Sequence, residues 1–240
     1  MLIEADASGL EVVAAAYLSQ DPVLMKEIRD GIDIHSVNQE RFKLPDRTIA
    51  KIFKFRLIYG GSCWSYANDK QFNWINSTPK YWQRIIDEYY EKYQGLRQWH
   101  DSLMDTVART NQLVMPTGRV YTFEPYWKRD QWVWPRTTIL NYPVQGLGHD
   151  LVAIARVSAY KRLRGKALFI MTVHDSIILD IDIDKNKYLC YNVCEELKKV
   201  FNDIPKNFKR LFGCEFNLPM KAEIKYGPTW AHMKKWNGES

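Results

Sequence analysis

Two aspartates stand where short apolar segments end, and their carboxylates are the first candidates for chemistry. Asp175 separates two apolar runs at 168–173 and 176–183, a pattern that predicts a β-hairpin with Asp175 at its tip. Asp6 follows a short apolar strand predicted at 2–5. A carboxylate among apolar residues is costly unless something pairs with it, and a metal ion would do so. A turn that favours Asp, or a helix N-cap role for Asp6, is the alternative.

A stripe of two cations and two aromatic rings lies along the helix predicted at 47–59. Its members, each four residues apart on one slowly drifting face, are Arg47, Lys51, Phe55 and Tyr59. Arg and Lys bind phosphates, and rings can pack against a base and a sugar, so a nucleotide would fit this face. A helix at the edge of the core, with cations that reach out to water, is the alternative.

Two carboxylates on a sheet, together with a cationic helix, describe a site for two-metal phosphoryl transfer. Mg²⁺ takes one or two carboxylates plus phosphate oxygens of the substrate. The expected cofactor is therefore Mg²⁺, as two ions, with Mn²⁺ as an alternative. Lys51 and Arg47 would neutralise the charge that builds up during transfer.

The elements that must position these residues form an α+β pattern. We expect the strands to form one small antiparallel sheet, with Asp6 and Asp175 on neighbouring strands, and the helices from about 20 to 110 to form a separate lobe. The predicted helices lie at 9–18, 22–30, 35–42, 47–59, 63–72, 79–110 (one helix or a pair), 137–164 (interrupted by Pro143) and 187–201. A hairpin is predicted at 113–123, a loop at 124–135 and a last strand at 218–224.

Composition narrows the class of protein without deciding it. The 240 residues carry a net charge of +6 and are 14 % aromatic, which suits a surface that binds phosphates and stacks on bases, or a basic enzyme with a Trp-rich core. We find no apolar run of about 18 residues and no signal peptide. The four cysteines lack zinc-site spacing and are expected to be reduced thiols, so the expected localisation is cytoplasmic, or the host cytoplasm for a viral protein.

Six motifs occur in an order that resembles the catalytic C-terminal part of a family A DNA polymerase, of the bacterial DNA polymerase I type and its phage relatives. The motif A pattern runs from Asp6 to Glu11 and is followed by a Leu-Ser-x-Asp element that ends at Asp21. The motif B pattern is the stripe from Arg47 to Gly60. The remaining elements are Asp33-Ile34-His35, Asn141-Tyr142-Pro143-Val144-Gln145-Gly146, the motif C segment Val173-His174-Asp175, and Gly227-Pro228-Thr229-Trp230.

This resemblance implies a polymerase palm plus a helical fingers lobe, with palm at 1–19 and 136–240 and fingers at 20–135. The implied reaction is addition of dNTPs to a primer 3′-hydroxyl on primer–template DNA. The implied metal ligands are Asp6, Asp175 and the Ala7 carbonyl, with Lys51 also a candidate general acid. The implied nucleotide contacts are His35, Arg47 and Lys51 on the triphosphate, Phe55 on the sugar, Tyr59 by the templating base, and Glu11 as the steric gate against a ribose 2′-hydroxyl. Asn141, Gln145 and His174 would contact the primer–template.

Several positions depart from the family pattern. Ser176 stands where a Glu usually follows the motif C aspartate, which would weaken or rearrange the second metal shell. Gly9 replaces a common Gln, and Asp46 replaces a common second Arg. Arg56 replaces a usual Gly and adds a bulky cation beside Phe55.

The thumb, the early palm strands and the 3′–5′ exonuclease domain of the family are expected to be absent from this sequence. We therefore hypothesise a split polymerase, completed by a separately encoded N-terminal chain that carries the thumb and exonuclease. A truncated gene product or an excised fragment is the alternative.

Two rival functions stay open at this stage. A phage-type single-subunit RNA polymerase shares motif B and a His-Asp-Ser motif C, whereas Glu11 and Asn141 with Gln145 favour the DNA enzyme. A non-catalytic DNA-binding subunit that decayed from a polymerase would explain Ser176 and Gly9, but decay should not have spared Asp6 and Asp175.

Overall fold

The computed structural model describes residues 1–183 and 188–238. Contacts divide the chain into two compact units, one formed by Met1–Leu10 with Leu147–Ser240 and the other by Glu11–Gly146. The α+β prediction is confirmed. None of the helices in the described ranges has the length and apolar character needed to cross a membrane.

The helices follow the predicted order with small shifts of their ends. They are α1 (Leu10–Ser19), α2 (Pro22–Arg29), α3 (Ile34–Phe42), α4 (Arg47–Ile58), α5 (Cys63–Ala67), α6 (Pro79–Lys92), α7 (Gln94–Thr110), α8 (Arg136–Leu163), α9 (Leu189–Asn202) and α10 (Ile204–Phe212). The strands are β1 (Leu2–Ala7), β2 (Gln112–Val114), β3 (Val120–Thr122), β4 (Tyr126–Lys128), β5 (Gln131–Val133), β6 (Leu168–Val173), β7 (Ser176–Asp180), β8 (Ala222–Gly227) and β9 (Lys234–Lys235).

The first unit is built on a five-stranded antiparallel sheet with strand order β6-β7-β1-β8-β9. On strand β1, Ile3, Ala5 and Ala7 are at most 1 % exposed, and the two-residue period of a strand places Glu4 and Asp6 on the other face. Packing of the apolar face fixes the register of β1, since a slip of one residue would exchange the two faces. That register sets the position of Asp6 relative to the tip of the β6–β7 hairpin.

The second unit has an aromatic core beneath α4. Phe53 on that helix is fully buried, and its ring centroid lies 5.0 Å from that of Tyr66 and 6.2 Å from that of Trp82. Asp46 caps α4 by accepting a hydrogen bond from the Ile49 N–H at 2.8 Å. The helix ends before Gly60, which adopts the left-handed conformation with φ of 80°. These contacts turn the Phe53 face inward and leave Arg47 and Lys51 exposed.

Several sequence predictions about the elements were wrong in part. The helix predicted at 63–72 ends at Ala67, and the strand predicted at 218–224 is β8, which begins at Ala222 and is followed by β9. The segment 124–135, predicted as a loop, contains the β4–β5 hairpin, so the described strands form three sheets rather than one. Helix α10 was not predicted. The prediction for 187–201 begins at residue 187, which lies outside the described residues.

Pro143 does not interrupt α8, contrary to the prediction. A proline inside a helix removes one hydrogen bond and costs about 3 kcal/mol. The adjacent Ile139, Leu140 and Val144 are fully buried, and burial of each such side chain contributes about 1.5–3 kcal/mol. Packing therefore offsets the cost of the proline.

Candidate functional site

Asp6 and Asp175 come together at one end of the sheet in the first unit. Asp6 on β1 pairs in register with Ser176 on β7, and the Ala7 N–H donates a hydrogen bond to the Asp175 carbonyl at 3.1 Å. Asp175 lies in the two-residue turn between β6 and β7. His174, the other turn residue, is exposed and has a positive φ of 51°. The half-buried Asp175 therefore lies in the turn that adjoins β7, next to the strand position opposite the half-buried Asp6.

Ser176 is hydrogen-bonded to one of these carboxylates, that of Asp6. Its hydroxyl donates a hydrogen bond to Asp6 Oδ2 at 2.8 Å, and Ser176 is only 5 % exposed. A buried hydroxyl that donates to a carboxylate fixes the orientation of that carboxylate. Ser176, one of the residues that depart from the family pattern, thus orients Asp6, one of the predicted metal ligands.

The donor atoms of this site are hard oxygens, which suit Mg²⁺ or Mn²⁺ better than zinc. Within residues 1–183 and 188–238, no group of three or more His, Cys, Asp or Glu side chains is arranged to hold a metal ion. Two carboxylates are enough for Mg²⁺, because this ion usually keeps several waters and takes its other ligands from substrate phosphates. The residues present therefore fit a magnesium site that is completed by the substrate.

In the second unit, Arg47 at the start of α4 is paired with Asp33. Its Nε and Nη2 donate to the two carboxylate oxygens at 2.7 and 3.1 Å, a bidentate pair in which both side chains are about half exposed. The hydrogen bonds from Arg47 hold the pKa of Asp33 well below its usual range. Asp33 also accepts from the His35 N–H at 3.2 Å and begins α3. The Asp33-Ile34-His35 element and motif B are therefore one connected structure.

Phe55 lies between three nitrogen-bearing side chains of this unit. Its ring centroid is 5.9 Å from the Lys51 ammonium, 5.1 Å from the Lys54 ammonium and 5.9 Å from the His35 ring centroid. Burial lowers the pKa of His35 to about 4, with the nearby Lys54 as the second cause, so His35 is neutral at pH 7. The structure thus brings the predicted phosphate contacts Lys51 and His35 to the same ring.

Glu11, Tyr59 and Gln145 form a second cluster within this unit. The Tyr59 hydroxyl donates to Glu11 Oε1 at 2.5 Å. Gln145 Nε2 donates to the same Glu11 oxygen at 2.8 Å and to the Tyr59 oxygen at 2.6 Å. Burial, and next the hydrogen bond to Glu11, raise the pKa of the Tyr59 phenol, which therefore stays protonated and keeps donating. Three residues predicted separately, from motif A, motif B and the Asn-x-Pro-x-Gln element, are thus joined by hydrogen bonds.

An open cavity of about 540 Å³ lies beside Tyr59, and Asn141 and Arg56 line its wall. Its other lining residues are Gly61, Ser65, Thr137, Thr138 and Tyr142. Arg56 is held there by Asp69, with its Nη2 2.8 Å from Asp69 Oδ2, and by a hydrogen bond to the Ser65 carbonyl at 3.2 Å. Arg56, another residue that departs from the family pattern, is therefore held in the wall of this cavity.

The predicted site residues divide between the two units. Asp6, Ala7, His174 and Asp175 belong to the first unit, and Glu11, His35, Arg47, Lys51, Phe55, Tyr59, Asn141 and Gln145 belong to the second. Sequence reasoning did not single out Lys54, because the four-residue spacing of the stripe points to the exposed face of α4 and Lys54 lies on the buried face. The sequence signal that could have revealed Lys54 is a lysine at a helix position where its neighbours on the same face are apolar.

Comparison with known proteins identifies the family. The model for DNA polymerase family A matches residues 1–232. The DNA polymerase I of Geobacillus stearothermophilus is 25 % identical over 98 % of this chain, and that of Lactococcus lactis subsp. cremoris is 23 % identical over 98 %. The chain spans 26 % of the length of each of these two curated relatives.

A solved structure shares the fold. The POL domain of Pol1 from M. smegmatis, in complex with DNA primer-template and dNTP, superposes with a TM-score of 0.76 at 20 % identity and covers 95 % of this chain and 40 % of that chain. The family model covers nearly the whole sequence, in agreement with the order of the six motifs. This chain belongs to DNA polymerase family A.

Proposed function

We propose that this chain is the catalytic portion of a DNA-directed DNA polymerase that adds dNTPs to a primer 3′-hydroxyl by two-metal phosphoryl transfer. The observation that carries the proposal is the pair of aspartates, Asp6 on β1 and Asp175 in the β6–β7 turn, which the hydrogen bond from the Ala7 N–H to the Asp175 carbonyl holds next to each other. Membership in the family supports the same reaction.

Asp6, Asp175 and the Ala7 carbonyl would hold the metal ions. When bound, Mg²⁺ lowers the pKa of the attacking hydroxyl and neutralises charge on the transferred phosphate. Ser176 contributes by holding the Asp6 carboxylate in one orientation through its 2.8 Å hydrogen bond. The site therefore has two carboxylates and a hydroxyl where the family usually has a third carboxylate.

The nucleotide would bind along α4. Arg47 and Lys51 supply exposed cations for the triphosphate, and Lys51 is also the candidate general acid for the leaving pyrophosphate. His35 is neutral, so it would act on the phosphates as a hydrogen-bond donor rather than as a cation. Phe55 would pack on the sugar.

Glu11 would be the steric gate against a ribose 2′-hydroxyl. Its carboxylate is fixed by hydrogen bonds from Tyr59 and Gln145, so it cannot move aside without losing both. In the Glu11→Ala variant the gate is absent, and we expect ribonucleotide incorporation to rise relative to dNTP incorporation. Unchanged sugar selectivity would contradict the gate and would revive the RNA polymerase alternative, which Ser176 after Asp175 otherwise favours.

Primer–template DNA would be contacted through Asn141, Gln145 and His174. Tyr59, beside the cavity that Asn141 lines, would sit by the templating base. We expect Asn141→Ala to weaken binding of a primer–template in a fluorescence anisotropy titration. Arg29→Ala, an exposed cation outside these clusters, serves as the control for a general loss of charge.

A separately encoded N-terminal chain that supplies the thumb and exonuclease is a further hypothesis. A thumb grips the duplex through its phosphates, so the chain by itself would hold DNA weakly and show strongly salt-dependent binding. Isolation of the native protein without a second chain, together with full processive activity, would contradict this hypothesis.

A further inference from the structure

Lys54 on α4 carries a buried ammonium that the proposed reaction does not use. Lys54 is 1 % exposed, and its Nζ has no hydrogen-bond partner among the described residues. A buried charge without a partner is expensive, so a lysine in this position is retained at a cost to stability. The contacts of the Lys54 ammonium should therefore explain why a lysine is found at this position.

The contact is the ring of Phe55. The Lys54 ammonium lies 5.1 Å from the ring centroid, within the range of a cation–π interaction. The His35 ring lies 5.9 Å from the same centroid, and its Nδ1 is likewise buried without a hydrogen-bond partner among the described residues. Lys54 is therefore packed against the ring that would support the sugar of the nucleotide.

Charged groups on four elements surround Lys54, and they oppose one another. Glu11 on α1, Glu27 on α2 and Asp33 before α3 favour the charged form, whereas Lys51 on the same helix disfavours it. Burial outweighs the three carboxylates and lowers the pKa of Lys54 to about 7. The ammonium is therefore only partly protonated at neutral pH, and a change in nearby charge shifts its protonation.

On the basis of the proposed function, we propose that Lys54 is a positioning residue. Lys54 takes up a proton when a nucleotide triphosphate binds, and it then holds the Phe55 ring against the sugar. Lys51 precedes Lys54 by three residues, so phosphates paired with Lys51 would lie about one helical turn away. Such phosphates remove the repulsion by Lys51 and add negative charge, and both changes favour the protonated form.

The proton balance is simple. One proton passes from the solvent to the Lys54 amine, and no covalent bond of the nucleotide is made or broken. The positive charge strengthens the attraction to the face of the Phe55 ring, because that face carries negative quadrupole charge. Nucleotide binding and orientation of the ring would thus be coupled through one proton.

The direct test is isothermal titration of a dNTP into the protein bound to a primer–template with a dideoxy-terminated primer, so that no chemistry follows. Titrations at pH 7.5 in buffers with different ionisation enthalpies report the protons taken up. From a pKa of about 7 in the free protein, we expect about 0.7 proton per nucleotide. Uptake near zero in the wild-type protein would overturn the proposal without any variant.

Variants assign the proton to Lys54. Lys54→Met keeps the length of the side chain without the amine and should abolish the uptake, whereas Lys51→Met, at an exposed position on the same helix, should weaken binding but leave some proton uptake. Equal uptake in Lys54→Met and wild type would contradict the proposal. Circular dichroism would verify that both variants are folded.

A kinetic measurement provides a second readout that a purely structural lysine would not affect. The KM for dNTP should rise at least about tenfold between pH 7 and 9 in the wild-type protein, because the free form loses the proton that the complex needs. Lys54→Arg keeps its charge at every pH and should have a flat profile over this range. A tenfold rise that persists in Lys54→Arg would refute the role of Lys54.

These experiments separate the two proposals. Failure of the wild-type complex to bind dNTP would count against the polymerase function itself. Binding of dNTP with normal affinity, together with no proton uptake, would leave the polymerase function intact and reject the role of Lys54.

Discussion

A buried ion pair between Glu27 and Lys92 should stabilise the second unit strongly. Lys92 Nζ lies 2.8 Å from Glu27 Oε1, and the two side chains are only 9 % and 10 % exposed. The Tyr93 hydroxyl donates to the other Glu27 oxygen at 2.7 Å, and Lys92 also donates to Asn38 Oδ1 at 2.9 Å. The network joins α2, α3 and the end of α6, the helices that surround α4.

The expected loss of unfolding free energy depends on which buried groups each substitution leaves without a partner. Lys92→Met leaves the buried Glu27 carboxylate with the Tyr93 hydroxyl but without a cation, and loss of one partner of a buried pair costs about 3–5 kcal/mol. A domain has roughly 5–15 kcal/mol of stability in total, so this loss is a large fraction of it. Replacing both partners, as in Glu27→Leu with Lys92→Met, should cost far less than the sum of the single substitutions.

The assay is urea unfolding at pH 7, followed by the fluorescence of the nine tryptophans. Arg84→Met is the matched control, because Arg84 and Glu88 form an exposed pair at 3.4 Å on the same helix as Lys92, and such pairs contribute about 0.3–0.5 kcal/mol. A free energy of unfolding for Lys92→Met equal to that for Arg84→Met would refute the reasoning.

Further predictions concern pH, metal binding and the site. Burial lowers the pKa of His100 to about 3, so the unfolded chain binds more protons than the folded protein between pH 6.5 and 3. The free energy of unfolding therefore decreases as the pH is lowered, and His100 contributes up to about 1.4 kcal/mol per pH unit to this decrease, in addition to the contribution of His35. A His100→Gln variant should lose the contribution of His100 and show a shallower slope in urea titrations at pH 7, 6 and 5, and an unchanged slope would contradict the prediction. Ser176→Ala removes the hydrogen bond that orients Asp6 and should raise the Mg²⁺ concentration for half-maximal extension, whereas Ser176→Glu should lower it. An Mg²⁺ requirement that is the same in both variants would show that Ser176 has no part in orienting the metal site.

Local sequence signals predicted those elements that have strong caps. Asp46 caps the start of α4 and Gly60 follows its end in the left-handed conformation, so both ends of that helix carry a local sequence signal. The β6–β7 hairpin followed from two apolar runs around His174-Asp175. In each case a short-range hydrogen bond or an apolar pattern decides the conformation, so a single sequence carries the information.

Other elements depend on interactions that a single sequence does not display. The β4–β5 hairpin turns at Arg129 and Asp130, both with positive φ and neither a glycine, so the usual turn signal is missing. Helix α10 did have signals, a proline in its first turn and Gly213 at its end, which could have revealed it. Pro143 lies inside α8 without interrupting it, because the burial of its neighbours is a tertiary effect that a single sequence does not display.

In the candidate site, too, some features follow from local sequence signals and others depend on tertiary interactions. Motif order supplied the predicted site residues, and the register of β1 with β7 explains how Asp6 approaches Asp175. The hydrogen bond from Ser176 to Asp6 and the burial of Lys54 are tertiary facts, so the sequence could mark Ser176 only as unusual and could not mark Lys54 at all. The roles of the individual residues and the bounds of palm and fingers stay predictions.

The most direct test of the central claim is Mg²⁺-dependent extension of a labelled primer–template by this chain, compared with its Asp175→Asn variant. The substitution keeps the size of the side chain and removes one proposed metal ligand. We expect extension by the wild-type chain, alone or with an added thumb-bearing chain, and at least a hundredfold loss in the variant, since metal-bound charge supplies several kcal/mol of transition-state stabilisation. Equal extension by wild type and Asp175→Asn would contradict the assignment of the active site.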